Sequence, residues 1–193
     1  PLYDISQPTD GVVDRFDLEV FIDHWLADSR LVAYWKLDEA EGSVARDAVG
    51  AHGGTLHGDP LWRPAGGMVD GALQLDGAED YVSTDFVLNP ADGAFSLLAW
   101  IKGGSPGQVI VSQLDGVRTG ATWLGADTLS GSLWTELVPP SSGRIVPQPL
   151  VSQSVITDGL WHQVGLVWDG SIRRLYVDGI EVVRDVQPLS PLK

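Results

Sequence analysis

Apolar and polar residues alternate with a period of two in short runs after residue 30, most clearly from Thr157 to Val182. From Trp161 to Trp168, His162, Val164, Leu166 and Trp168 fall on one face and Trp161, Gln163, Gly165 and Val167 on the other, because successive side chains of an extended backbone point to opposite sides. Asp169-Gly170 closes this run, and Asp178-Gly179 closes the next, Ile172 to Val177. Asp-Gly between β-formers signals a hairpin, since glycine accepts positive φ without steric cost. Ile180 to Val183 then returns as a third strand.

Earlier in the chain, Leu31 to Leu37 reads as a first strand with apolar character on both sides, and so is expected inside a sandwich. Further strands are predicted around Trp62, around Leu73, Leu75, Tyr81 and Val82, and over Phe95 to Lys102; others follow at Ile110, Val111 and Leu114, at Trp123 to Gly125, and over Leu133 to Val138. The second face of Phe95 to Lys102 carries Leu98 and Trp100, where a water-facing strand would be polar. A sheltered outer face, under a curved sheet or a covering loop, is the expectation. Residues 14–26 differ: Asp14 is placed to cap a helix whose Leu18, Phe21, Ile22 and Trp25 recur at i, i+3, i+4 and i+7.

Trp161-His162, Val167-Trp168-Asp169-Gly170 and Leu175-Tyr176-Val177-Asp178-Gly179 resemble the signature of laminin-G-like, concanavalin A-like jelly-roll domains. Ala33 to Glu39 (AYWKLDE), Gly71 to Gly77 (GALQLDG) with Asp80-Tyr81-Val82, and Phe95 to Lys102 (FSLLAWIK) follow in that family's order. The resemblance implies an all-β, two-sheet antiparallel jelly-roll sandwich over residues 31–193, behind a short N-terminal helical appendage. It also implies a non-catalytic extracellular or cell-surface module of a larger, bacterial-type secreted protein. The family's closing strand has no counterpart before Lys193, so the domain is expected to be incomplete at its C-terminus, with an open edge for self-association or for the N-terminal segment to cover. Asp10-Gly11-Val12-Val13-Asp14 with Asp17 resembles the calcium loop of a dockerin-type EF-hand repeat, in which Asp10, Asp14 and Asp17 would supply oxygens. Ser6 and Pro8 occupy that loop's first and third ligand positions, with one neutral oxygen between them. Residues 1–30 therefore read as a degenerate half-repeat packing its Trp25 face on the next domain.

Composition narrows the partners. The chain has 12 basic and 26 acidic residues, a net charge of −14, which disfavours a phosphate backbone or an anionic membrane. Cysteine is absent, and no 18-residue apolar span suits membrane insertion. Because the chain begins at Pro1, it reads as an excised or processed piece.

Calcium is the candidate cofactor, with Asp38 and Asp47 as hard-oxygen donors in a glycine-rich loop. His52 and His57 lack a third nearby ligand and read as solvated loop residues, and His162 reads as a satisfied structural histidine. No carboxylate run has the spacing of a retaining glycosidase. The 8 tryptophans favour a glycan ligand, since aromatic rings stack on sugar faces. Trp100, Trp123, Trp134 and Trp62 are the candidate ligand-binding residues, with an extracellular protein as the other partner class. A structural spacer, or a glycan-active enzyme with a distant second carboxylate, is the competing reading.

Overall fold

The computed structural model describes residues 31–86, 88, 93–114, 120–137 and 149–186. The helix expected over residues 14–26 and the candidate ligands Asp10, Asp14 and Asp17 lie outside them. Every regular element among the described residues is a strand. The first five are β1 (Val44–Ala45), β2 (Gly54–His57), β3 (Leu61–Arg63), β4 (Ala72–Gln74) and β5 (Tyr81–Ser83). The next four are β6 (Phe95–Lys102), β7 (Val109–Leu114), β8 (Gly120–Ala126) and β9 (Ser132–Thr135). The last are β10 (Leu150–Val155), β11 (Trp161–Trp168), β12 (Ile172–Val177) and β13 (Ile180–Val186).

Two four-stranded antiparallel sheets, ordered β10-β9-β8-β7 and β13-β12-β11-β6, form the sandwich. A three-stranded sheet β1-β2-β5 and a hairpin β3-β4 precede them. The predicted Asp-Gly turns close the β11-β12-β13 meander, and Asp178, at φ 52°, and Gly179, at φ 76°, adopt the left-handed conformation such a turn needs.

The core lies between the two large sheets. Val164, Leu166 and Leu175 are fully buried and face Leu124 and Leu133, with Phe95, Leu97, Ala99 and Ile101 of β6 packed against the cluster. Alternation therefore has the expected consequence: one face of each strand is removed from water, at about 25 cal/mol for each Å² of apolar surface. Arg173 shares this inward face, wholly buried. Its Nε donates to Asp185 Oδ1 at 2.9 Å and its Nη2 to Asp185 Oδ2, while its Nη1 donates to the Leu137 carbonyl at 2.6 Å. The bidentate ion pair thus ties β12 to β13, and the third bond ties their sheet to the chain leaving β9.

Two expectations are corrected here. Leu31 to Leu37 is not a strand inside the sandwich. It makes one isolated bridge, Trp35 to Asp47, and Leu31, Val32 and Tyr34 are exposed. The Asp47 side chain takes the Tyr34 N–H, where a neighbouring strand would offer a carbonyl, and Leu37 at φ 58° turns the chain out of extended conformation. The outer face of β6 is not sheltered either: Leu98 is 52% and Trp100 37% exposed. Of the strand predicted over Leu133 to Val138, Leu133 to Thr135 lie in β9, Leu137 is buried just beyond it, and Val138 lies outside the described residues.

Candidate functional site

The outward face of the β13-β12-β11-β6 sheet carries Trp100, of the candidate tryptophans, among apolar and polar neighbours. Register sets Trp100 opposite Gln163, Leu98 opposite Gly165, Gly165 opposite Tyr176, and Tyr176 opposite Glu181. Four strands at about 4.8 Å spacing make this face about 14 Å wide. Gly165 is its floor. A Cβ there would stand 2.7 Å from Leu98 Cδ2 and 3.6 Å from Tyr176 Cβ, so only glycine lets Leu98 lean across the sheet. Trp161 and Val167, also on this face, are half-buried.

Polar groups close the far side. The Tyr176 hydroxyl donates to Glu181 Oε2 at 3.3 Å, Arg174 Nη1 donates to Asp169 Oδ2 at 2.6 Å, and Arg174 and Arg184 lie 3.6 and 3.5 Å from the Glu181 carboxylate. The Arg174 guanidinium, helped by the N–H groups of Ile172 and Ser171, holds Asp169 at a pKa of about 2. Desolvation, reinforced by Glu181, pushes the Tyr176 hydroxyl up. At neutral pH the face therefore offers a neutral hydroxyl and fixed charges. It can stack against rings and exchange hydrogen bonds. Glu181 is the one acid carried outward by these strands among the described residues, and Asp169, in the turn between β11 and β12, shares the Arg174 guanidinium with it.

His162 lies at the Trp100 end, on the inward side. Its Nδ1 is 2.8 Å from Asp178 Oδ2 and its Nε2 3.1 Å from Asp158 Oδ1. Asp178 Oδ1 accepts the Gln163 N–H at 2.9 Å. The bond to Asp178, set against desolvation and supported by Asp158, raises the imidazole pKa from its ordinary value.

The other candidates are dispersed. Trp123 is 3% exposed and packs on Phe95 with ring centroids 5.2 Å apart, so it is a core side chain and not the free ring expected. Trp134 is half-buried over Gly125, where a Cβ would stand 2.8 Å from its Nε1. Trp62 donates its indole N–H to the Gly42 carbonyl at 2.7 Å.

Asp47 accepts N–H groups on both oxygens, from Tyr34 and Val49 on Oδ1 and from His52 on Oδ2. Desolvation raises its pKa, but these bonds and one from Gly50 outweigh that and bring it to about 2. Asp38, Glu39 and Asp47 line an open depression with Lys36, Arg46 and Ala48, and no group of three or more metal-ligating side chains occurs among the described residues. His57 bonds Ser83 Oγ at 2.8 Å and stacks on Tyr81, whereas His52 packs on Phe86. Gln163, Gly165, Tyr176 and Glu181 were not singled out from sequence. Their signal was the non-alternating apolarity of the outward positions Trp161, Gly165, Val167 and Tyr176.

The family comparison agrees with this architecture. A laminin G family model described as the concanavalin A-like lectin/glucanases superfamily matches residues 76–191, more than half of the chain. The protein belongs to that superfamily. Among solved structures, the 2.1 Å crystal structure of an S-layer domain-containing protein (residues 221–444) from Clostridium thermocellum ATCC 27405 is similar at 23% identity and a TM-score of 0.47, covering 83% of this chain and 75% of that one. None of the curated proteins matches the sequence.

Proposed function

We propose that the protein is a non-catalytic extracellular or cell-surface module that binds a glycan on the outward face of β6, β11, β12 and β13. The observation that carries this reading is the pair Leu98 and Trp100, exposed side by side next to Gly165 and Gln163. An exposed apolar patch rimmed by polar groups marks an interaction site, and an aromatic ring beside amide, hydroxyl and guanidinium groups suits the apolar faces and hydroxyls of a sugar. Membership in a superfamily of lectins and glucanases supports the ligand class. Glu181, held by Tyr176 and two arginines, supports binding without hydrolysis.

A glycan array on the whole chain, with and without calcium, tests the reading. Trp100→Ala, its fold checked by circular dichroism, is expected to weaken every hit at least about tenfold, or 1.4 kcal/mol. Unchanged binding by this variant would refute the placement. The calcium arm tests Asp38 and Asp47: hits that ignore chelation remove the cofactor from the proposal.

A further inference from the structure

We propose that His162, Asp158 and Asp178 form a proton-operated clasp that fastens the loop before β11 and the β12–β13 turn to the Gln163 end of the outward face. Both ring nitrogens face carboxylate oxygens, at 2.8 and 3.1 Å. A neutral imidazole has one N–H and one lone pair, so it satisfies one carboxylate and turns a lone pair on the other. Only the imidazolium donates to both. The ring is 12% exposed, so a deprotonated His162 has little access to water in exchange for the lost bond. The charges acting on the ring are those of Asp178 and Asp158, and across the strand pair stands Ile101, with Lys102 next along β6 and pointing to the opposite side of the sheet.

Each carboxylate passes the constraint to the backbone. Asp158 Oδ1 also accepts the Leu160 N–H at 2.9 Å, which fixes the loop. Asp178 brackets Gln163, accepting its N–H at 2.9 Å and donating its own N–H to the Gln163 carbonyl at 2.8 Å. Gln163 stands directly opposite Trp100. One proton on His162 is thus a single residue removed from the proposed binding face.

The direction follows from linkage. His162 has a folded pKa above its ordinary 6.5, so its contribution is complete below 6.5 and is lost as pH rises through the folded value. Asp158 is held below 3.8, by the Leu160 N–H first, so its contribution is present above 3.8 and is lost only as pH falls through its folded value. The clasp is closed in mildly acidic media and opens as pH rises through the folded pKa of His162, which lies above 6.5. The effect on ligand affinity rests on the reading of the outward face given above.

The test follows the His162 ring by NMR in the whole chain, in wild type, Asp158→Asn and Asp178→Asn. Asparagine at 178 keeps an acceptor for Gln163 and tolerates the positive φ there. The expected result is a wild-type midpoint above 6.5 that moves down in each variant, with Gln163 amide exchange, corrected for intrinsic base catalysis, accelerating across that midpoint. A midpoint at or below 6.5, or one unmoved in both variants, overturns the clasp. Affinity for an array glycan that weakens across the midpoint in wild type but not in Asp178→Asn supports coupling to the face. A flat wild-type affinity profile with the titration intact overturns the coupling alone. No glycan binding at any pH with the titration intact overturns the face reading and leaves the clasp standing.

Discussion

Residues 31–86 and 95–186 are both built of antiparallel strands, yet different forces hold them. In the later segment strands of four to eight residues stack two sheets over buried Val164, Leu166, Leu175, Leu124 and Leu133. In the earlier one the strands run two to four residues, Ala45 is the one fully buried apolar side chain among the described residues, and Val44, Val49, Leu61, Met68, Val69 and Tyr81 are exposed. Side chains bonded to backbone take over the ordering. Asp47 gathers Tyr34, Val49 and His52; Asp76 Oδ1 gathers Ala78, Glu79 and Asp80; and Asp80 accepts from Asp59 and Asp76. The indoles of Trp35 and Trp62 donate to the carbonyls of His52 and Gly42. Short strands bury too little area to be held by apolar contact, so carboxylate acceptors do what a core does elsewhere.

The largest break in this contrast is expected inside the sandwich. Asp185→Ala strands the wholly buried Arg173 guanidinium and should cost about 3–5 kcal/mol in denaturant unfolding. Replacing the pair together, Arg173→Met with Asp185→Leu, should recover most of that loss, because an apolar pair suits the site once neither charge is present. A double variant as weak as the single one would show that the loss is not the penalty of an uncompensated buried charge.

Gly71→Ala should have the next largest effect, in the polar segment. A Cβ there would stand 2.6 Å from Asp38 Cα, and backbone cannot swing aside as a side chain can. The expected cost is about 1–3 kcal/mol, against a smaller one for Gly165→Ala, which meets only the end of Leu98. Equal melting shifts for the two would contradict the geometry.

Asp47→Ala should be smallest in global stability and sharpest locally. Amide exchange at Tyr34, Val49 and His52 is expected to accelerate roughly tenfold or more while Val164 and Leu166 keep their protection. With its pKa at about 2, Asp47 contributes above 3.8 and releases its amides only as pH falls through about 2. Acid should therefore loosen this segment at its lower limit, whereas the His162 clasp loosens as pH rises through a folded pKa above 6.5. Uniform exchange changes across both segments would show that they open as one unit.

Much of the later segment was legible from residues alone. The alternation in Trp161 to Trp168, the two Asp-Gly turns and the inward set Phe95, Leu97, Ala99 and Ile101 are local properties, and the structure bears out each of them. The earlier segment was legible only in part. AYWKLDE alternates as a strand does, but alternation says nothing about whether a neighbour will pair with it, and here the Asp47 side chain intervenes.

For the candidate face, Trp100 was legible because an aromatic in an outward register breaks the polar pattern. Trp123, equally aromatic, turned out to be core, since strand irregularities between β7 and β8 decide where that ring points. The sequence by itself determined the class of fold, the strand periods and the turn positions, because these depend on residues a few positions apart. Tertiary structure alone decided that Gln163, Gly165, Tyr176 and Glu181 join Trp100 on one surface, that Arg173 is buried against Asp185, and that His162 sits between two carboxylates. Those outcomes depend on register between strands distant in sequence, which is set by the packing of whole sheets and by no single stretch of chain.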